Sequence, residues 1–177
     1  MLPLKALRAQ VLAMSAPQFK TRFGQVALVQ SPPEPMLRLA SLKLAGAQTV
    51  NMADRTKLGD RLLLMMTRFE DLSVQFLKPE RDGDAFTVGR LPTCAVQISD
   101  PSVSKHHATL RWAASRGGCT VQDERSTNGT FAGSSKLGTE EKVLLDGDAL
   151  GFGDAQFVYL LTETLYEQLR MTSFGYG

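Results

Sequence analysis

Short runs in which apolar and polar residues alternate dominate the chain from residue 72 onward. The first run places Leu72, Val74 and Phe76 at every second position, and the same period recurs in six later runs. Their apolar members are Phe86 and Val88, Val96 and Ile98, Ala108, Leu110 and Trp112, Cys119 and Val121, Val143 and Leu145, and Phe157, Tyr159 and Leu161. Segments rich in turn formers, such as "ERDGD", "SDPS" and "DGD", separate the runs. Many short strands without helices between them predict a mainly β protein, an antiparallel sandwich or barrel.

The first 24 residues have a helical period instead. Apolar residues at spacings of three and four indicate an amphipathic helix that packs on its own protein, with one face formed by Leu4, Leu7, Val11 and Met14. Ser15 and Gln18 have the spacing of a capping box for a second helix, which we expect to end at Gly24.

The periodicities divide the chain into three predicted parts. Residues 1–66 are expected to form a partly helical N-terminal extension with a proline-rich linker, "SPPEP", at 31–35. Within it, residues 36–66 fit a strand or a helix equally well. Residues 67–162 are expected to form the β domain, and residues 163–177 a C-terminal tail with a short helix.

The charge is distributed unevenly along the chain. Residues 1–60 carry eight Lys/Arg against three Asp/Glu, and residues 61–177 carry twelve against fifteen. Because the β-rich part lacks a basic excess, we expect no nucleic-acid partner. The longest purely apolar run, residues 62–66, is far shorter than the roughly 18 residues that a membrane span needs, and no signal peptide is recognisable. Cys94 and Cys119, which form no CxxC motif, suit reduced thiols, so a soluble cytoplasmic protein is expected.

The stretch "VSKHHATLRW" holds a serine, a lysine and both histidines of the chain, which could suggest a catalytic or metal site. His106 and His107 are neighbours on a predicted strand, however, so their side chains should point to opposite faces. A transition metal would lack further ligands, since no other histidine and no cysteine pair is present. The known motifs of hydrolases, zinc proteases and nucleotide-binding loops are also absent. We therefore expect no enzyme, no metal and no cofactor.

Three polar motifs separate the strands in a fixed order. They are "VGR" at 88–90, "SKHH" at 104–107 and "STNGT" at 126–130. This arrangement resembles the forkhead-associated (FHA) domain, whose usual pattern is GR, then SxxH, then NG. The resemblance covers residues 68–162. It implies an antiparallel β-sandwich of the SMAD/FHA type that recognises phosphothreonine.

The resemblance also implies the roles of individual residues. Arg90, Ser104 and Lys105 would contact the phosphate, Asn128 would bind the main chain of the peptide, and Thr127 would form the pocket wall beside the phosphothreonine. This fits phosphate chemistry, because a phosphothreonine carries about −1.5 to −2 charges and three strong acceptor oxygens. Lys105 stands where many family members have arginine, so it would act as a point charge rather than a fork.

Three further motif residues are expected to serve structure rather than binding. The resemblance implies that His107 ties the loop carrying Ser104 to neighbouring backbone. Gly89 and Gly129 are expected to satisfy backbone geometry.

Two functions from different classes remain open on the sequence alone. The first is a non-catalytic adaptor that binds a Thr-phosphorylated protein or peptide downstream of a Ser/Thr kinase. The second is a structural or assembly subunit that uses the sandwich and the N-terminal helices for phosphate-independent contacts. The sequence makes no prediction of the oligomeric state.

Overall fold

The computed structural model describes residues 1–32, 62, 64–67, 69 and 71–174. Its strands are β1 (Leu2–Pro3), β2 (Val26–Gln30), β3 (Ser73–Leu77), β4 (Ala85–Gly89), β5 (Val96–Gln97), β6 (Ala108–Ala113), β7 (Gly118–Asp123), β8 (Thr130–Ala132), β9 (Ser135–Lys136), β10 (Lys142–Val143), β11 (Ala149–Phe152) and β12 (Ala155–Leu161). Its helices are α1 (Leu4–Ala13), α2 (Ala16–Phe23) and α3 (Thr162–Phe174). A short 3-10 helix spans Ala114–Arg116, and residues 62 and 64–67 are also helical.

The strands form two sheets. One has seven strands in the order β1-β3-β2-β12-β11-β8-β9, and the other has five in the order β10-β7-β6-β4-β5. All described pairs are antiparallel except β4 with β5. The predicted fold class, a mainly β antiparallel sandwich with helices at the N-terminal end and after the last strand, is confirmed.

The core between the sheets follows from the period of two. Side chains at alternate positions of β6 and β7, including Leu110 and Val121, are fully buried against the seven-stranded sheet. Tyr159 is the largest fully buried side chain, and its hydroxyl oxygen accepts the backbone N–H of Cys119 at 2.9 Å. This bond satisfies a polar atom that would otherwise be costly to bury.

A second core lies on the outer face of the seven-stranded sheet. There α1 buries Leu4, Leu7 and Val11, and α2 buries Phe19, against the side chains that this face presents. The phenol of Tyr166 on α3 donates to the carbonyl oxygen of Met14 at 3.0 Å, which links the last helix to the first two. The expected packing of the N-terminal helix on its own protein is confirmed.

The termini of α2 agree with the sequence pattern. The backbone N–H of Ser15 donates to Oε1 of Gln18 at 2.8 Å, as a capping box requires. The helix ends at Gly24, whose φ of +106° favours glycine and whose N–H donates to the carbonyl oxygen of Lys20. Both predicted helix ends are confirmed.

Two strands of the sandwich, β1 and β2, come from the segment that we assigned to the N-terminal extension. Strand β2 lies in the middle of the seven-stranded sheet, paired on one side with β3 and on the other with β12. Val26 and Leu28 enter the core between the sheets, whereas Ala27 and Val29 enter the helical core. Because both faces are buried, "VALV" shows no alternation, and the pattern gave no sign of a strand. The sheet therefore includes strands from before residue 67.

The register near residue 144 also differs from the expectation. Val143 and Leu145 were expected to face the core, but both are exposed and Leu144 is buried. Strand β10 has only two residues, and the N–H of Leu144 donates to the carbonyl oxygen of Cys119 as the chain leaves the sheet. The departure of the chain turns Leu144 inward, so the alternation does not continue through this segment.

Part of the predicted organisation falls outside the described residues. That is the case for residues 33–35 of the proline-rich linker and for most of the segment between residues 36 and 66. The division of the chain into three parts stays a prediction, although β1 and β2 of its first part pair with strands of the second. None of the described helices combines the length and apolar character that crossing a membrane requires.

Candidate functional site

The loops that follow β4, β5 and β7 meet at one end of the sandwich, and Ser104 connects them. Its carbonyl oxygen accepts the N–H of Arg90 at 3.0 Å, and its hydroxyl oxygen accepts the N–H of Thr127 at 3.0 Å. The hydroxyl hydrogen of Ser104 points toward Oγ1 of Thr127 at 3.4 Å, a weak hydrogen bond. Three of the predicted site residues, distant in sequence, therefore share one surface.

The His107 side chain stabilises this arrangement through two hydrogen bonds of its ring. It is fully buried, and Nδ1 accepts the N–H of Ser104 at 3.0 Å. A backbone N–H can only donate, so Nδ1 is unprotonated and Nε2 carries the hydrogen, which it donates to the carbonyl oxygen of Gly129 at 3.0 Å. Burial lowers the pKa of His107 and outweighs the opposing effects of Gly129 and Asp123. The neutral ring thus connects the loop of Ser104 to the loop of Asn128.

Gly89 allows the loop of Lys105 to lie directly on the end of β4. A Cβ at this position would come within 2.2 Å of the carbonyl oxygen of Lys105, which any side chain would displace. The same carbonyl accepts a weak hydrogen bond from the Cys94 thiol, with a sulfur–oxygen distance of 3.4 Å. The backbone of Lys105 is therefore fixed while its ammonium group is exposed.

Asp123 organises the loop that carries the third motif, although the sequence analysis did not single it out. Its carboxylate accepts the N–H and hydroxyl of Ser126 at 3.0 and 2.6 Å and the hydroxyl of Thr130 at 2.6 Å. Burial favours a higher pKa for Asp123, but these hydrogen bonds outweigh it and the pKa is lowered. The sequence signal for this role of Asp123 was its position three residues before a serine in a segment rich in turn formers.

Asn128 is attached to a neighbouring loop. One of its amide hydrogens is donated to the carbonyl oxygen of Ser102 at 2.7 Å, which leaves its own carbonyl oxygen and second N–H exposed. Gly129 follows it with a φ of +89°, in the left-handed region that glycine favours. Its missing side chain leaves room for Lys136, whose Cε would lie 2.3 Å from a Cβ built there.

Positive charge surrounds this surface. Arg90 and Lys105 are exposed, as are Arg125 and Lys136, which the sequence analysis missed. Among the described residues, these four side chains form no ion pair and no side-chain hydrogen bond. Lys136 lies over Gly129, and Arg125 immediately precedes the third motif. The arrangement offers cations, a hydroxyl and exposed amide groups to an anionic ligand that arrives at the loop tips.

Among the two histidines and two thiols of the chain, Cys94 and His106 approach each other, with 3.9 Å between Sγ and Nδ1, whereas the ring of His107 contacts Ser104 and Gly129. His106 is exposed and His107 is buried, so the rings point in different directions as expected. Both Cys94 and Cys119 are buried and free, and burial raises the pKa of the Cys119 thiol to about 11. No group of three or more potential metal ligands occurs in the described ranges.

Comparison with known proteins identifies the family. A family model described as FHA domain matches residues 86–153, which include all three motifs. The chain is 30% identical over 116 residues to an oxoglutarate dehydrogenase inhibitor from Corynebacterium diphtheriae, covering 66% of this chain and 76% of that protein. It is also 33% identical over 75 residues to an ABC transporter ATP-binding/permease protein from Mycobacterium tuberculosis, of which it spans only 8%, while the match covers 42% of this chain.

The solved structures include an FHA domain of similar extent. The FHA domain of the CT664 protein from Chlamydia trachomatis superposes with a TM-score of 0.49 at 16% identity, covering 77% of this chain and 97% of that one. The sequence match to the corynebacterial inhibitor extends over most of that protein's length, and the family match spans the three motifs. The chain belongs to the FHA domain family.

Proposed function

We propose that the chain is a non-catalytic adaptor that binds phosphothreonine peptides through Arg90, Ser104, Lys105, Thr127 and Asn128. One observation carries the proposal. Arg90 bonds through its N–H to the carbonyl oxygen of Ser104 and Lys105 follows Ser104 in the chain; neither cation has an ion-pair partner in the described part of the chain, and the hydroxyl hydrogen of Ser104 makes only a weak bond. Family membership supports the same reading, because FHA domains are in general non-catalytic binding modules.

The charges and donors suit a phosphate monoester. A bound dianionic phosphate is stabilised most where cations and fixed N–H groups replace the water molecules that hydrate it. The Arg90 guanidinium offers several donors, and the Lys105 ammonium supplies a second positive charge. Ser104 can turn its hydroxyl hydrogen from Thr127 to a phosphate oxygen, since the bond that it gives up is 3.4 Å long.

The peptide backbone and the threonine methyl group would be read by the third motif. The free carbonyl oxygen of Asn128 can accept a main-chain N–H of the peptide, while the attachment to Ser102 keeps the side chain in place. Thr127 would line the wall beside the phosphothreonine. Burying the methyl group that distinguishes threonine from serine contributes about 0.8 kcal/mol, a factor of about four in affinity.

The proposal is tested by fluorescence polarisation with a degenerate phosphothreonine peptide pool and its unphosphorylated counterpart. Charge-assisted hydrogen bonds contribute about 1.5–3 kcal/mol each, so Arg90→Ala should weaken phosphate-dependent binding at least about tenfold. Arg116→Ala is the matched control, because it removes the same charge from an exposed turn in the connection between β6 and β7. A folded wild type that does not distinguish the two pools would refute the proposal.

The upstream partner follows from the ligand. A phosphothreonine peptide requires a Ser/Thr kinase, so we place the chain downstream of such an enzyme and in the cytoplasm, with no nucleic-acid partner. The binding event itself involves no covalent step and needs no cofactor.

A second candidate function, phosphate-independent assembly, is favoured by a feature of the helical layer. Leu12 on α1 and Met171 on α3 are 60% and 67% exposed although both helices bury their other apolar faces. Such side chains could contact another protein. The two functions predict different results for partner binding by Arg90→Ala. If the chain acts in assembly, the variant should still bind the partner; if it recognises phosphothreonine, the variant should lose the partner.

A further inference from the structure

A groove of about 470 Å³ opens beside Asn128. Its lining consists of Asn128, Phe131, Gly133, Ser134, Gly153, Asp154 and Gln156. Phe131 and Gln156 belong to β8 and β12, so the groove lies along one end of the seven-stranded sheet rather than among the loops that hold Arg90 and Lys105. None of the roles assigned above accounts for it.

Two of the lining side chains lie in one row of the sheet with a glycine between them. Gly151 on β11 pairs with Phe131 on one side and with Gln156 on the other. The three positions face outward, since their chain neighbours Phe152, Ala132 and Phe157 enter the core between the sheets. A Cβ on Gly151 would lie 3.3 Å from Cβ of Phe131 and 3.0 Å from Nε2 of Gln156. The Phe131 and Gln156 side chains therefore lie close together over Gly151 and form one wall of the groove.

Hydrogen bonds connect this groove directly to the proposed phosphothreonine site. Asn128 donates to the carbonyl oxygen of Ser102, and the hydroxyl oxygen of Ser102 accepts the N–H of Asp154 at 2.8 Å. The N–H of Gly153 donates to the carbonyl oxygen of Gly129 at 3.0 Å. A peptide bound to the exposed carbonyl of Asn128 would reach the groove within its next few residues.

The lining of the groove has one charge, and the cation at its border is Lys136, which pairs with Phe131 and lies over Gly129. Asp154 is the single ionisable lining residue, is exposed, and forms no ion pair among the described residues. Phe131 is half-buried and presents an aromatic surface beside it. An arginine or lysine side chain combines an apolar stem, which can pack on the ring, with a cationic end that attracts both the carboxylate and the ring face. An acidic side chain would be repelled, and a purely apolar one would leave the carboxylate without a partner.

We propose that this groove binds a basic side chain that flanks the phosphothreonine, and that Asp154 determines this preference. The inference rests on the proposed function, which it deepens by naming the class of peptide: a phosphothreonine next to Arg or Lys. The ligand is thus anionic at the loop tips and cationic beside the carboxylate of Asp154.

The test is a fluorescence-polarisation scan with phosphothreonine peptides in an alanine background. Each peptide carries a single Arg, or a single Glu, at one of the positions within four residues of the phosphothreonine on either side. The readout is the ratio of Arg-peptide to Glu-peptide affinity at each position, since Asp154→Lys also changes the attraction for every phosphopeptide. In the wild type, at least one position should prefer Arg about threefold to tenfold.

Two variants and a control separate the outcomes. Asp154→Asn should remove the preference at that position and Asp154→Lys should reverse it toward Glu. Glu167→Lys makes the same charge change on α3, which begins at the far end of β12, and should leave the preference intact. Because Asp154 contributes only its backbone N–H to the fold, each variant should retain the wild-type unfolding temperature, which is measured alongside.

The inference and the proposed function fail in different ways. If binding requires the phosphate and Arg90 but the Arg-to-Glu ratio is the same in wild type and Asp154→Lys, the groove does not select a basic residue and the inference is wrong. If the wild type prefers no Arg at any position, it is equally wrong. If no peptide binds in a phosphate-dependent manner, the proposed function fails and the inference fails with it.

Discussion

The imidazole of His107 connects two binding loops only while it is neutral. Folding lowers its pKa below the ordinary value of 6.5 because the ring is buried, so the unfolded chain takes up a proton that the folded protein resists. This contribution to stability is complete above about pH 6.5 and is lost as the pH falls toward the lower folded-state pKa. We expect the free energy of unfolding to decrease as the pH falls below about 6.5, by at most about 1.4 kcal/mol per pH unit.

Urea unfolding across this pH range checks the expectation. His106→Gln removes the exposed neighbouring ring and should preserve the pH dependence, because only His107 is buried. Asp123 and the other carboxylates with lowered pKa values titrate below about pH 4 and do not contribute in this window. A stability that stays constant from pH 7.5 to 5 would contradict the assigned role of His107.

Gly89 is a second residue on which the site depends. Gly89→Ala places a Cβ 2.2 Å from the carbonyl oxygen of Lys105, so the loop must move; we expect a loss of about 1–3 kcal/mol in unfolding free energy and weaker phosphopeptide binding. The control is Gly138→Ala, where a Cβ would meet nothing within 4 Å and φ is not positive. Urea midpoints of the two variants should differ clearly. Equal midpoints would mean that the close approach at Gly89 has no structural importance.

At the scale of elements, β2 joins the two cores of the molecule. Leu28 contributes a fully buried side chain to the core between the sheets, so Leu28→Ala should cost about 2–5 kcal/mol of unfolding free energy. Leu12→Ala removes the same atoms from an exposed position on α1 and should change stability by less than about 0.5 kcal/mol. Chemical unfolding of both variants tests this. A mild effect of Leu28→Ala would indicate that β2 is dispensable for the sandwich.

At the scale of the whole molecule, the fold was largely predictable where local patterns determine the structure. The capping box of Ser15 and the alternation in β6 and β7 depend on neighbours in sequence, and the structure confirms them. Strand β2 and Leu144 could not be predicted in this way, because burial of both faces and the departure from the sheet depend on tertiary contacts. The site residues were indicated by three motifs, but their convergence around Ser104, the support from Asp123 and the proximity of Lys136 to Gly129 required the structure.

The measurement that tests the central claim most directly is an NMR titration of the ¹⁵N-labelled full chain with a phosphothreonine peptide. The account predicts that the backbone amides of Arg90, Ser104, Thr127 and Asn128 shift progressively, while those of α1 and α3 stay unchanged. The unphosphorylated peptide should cause no such shifts. Perturbations confined to the helical layer, or identical shifts with and without the phosphate, would contradict phosphothreonine recognition at these loops and favour an assembly role.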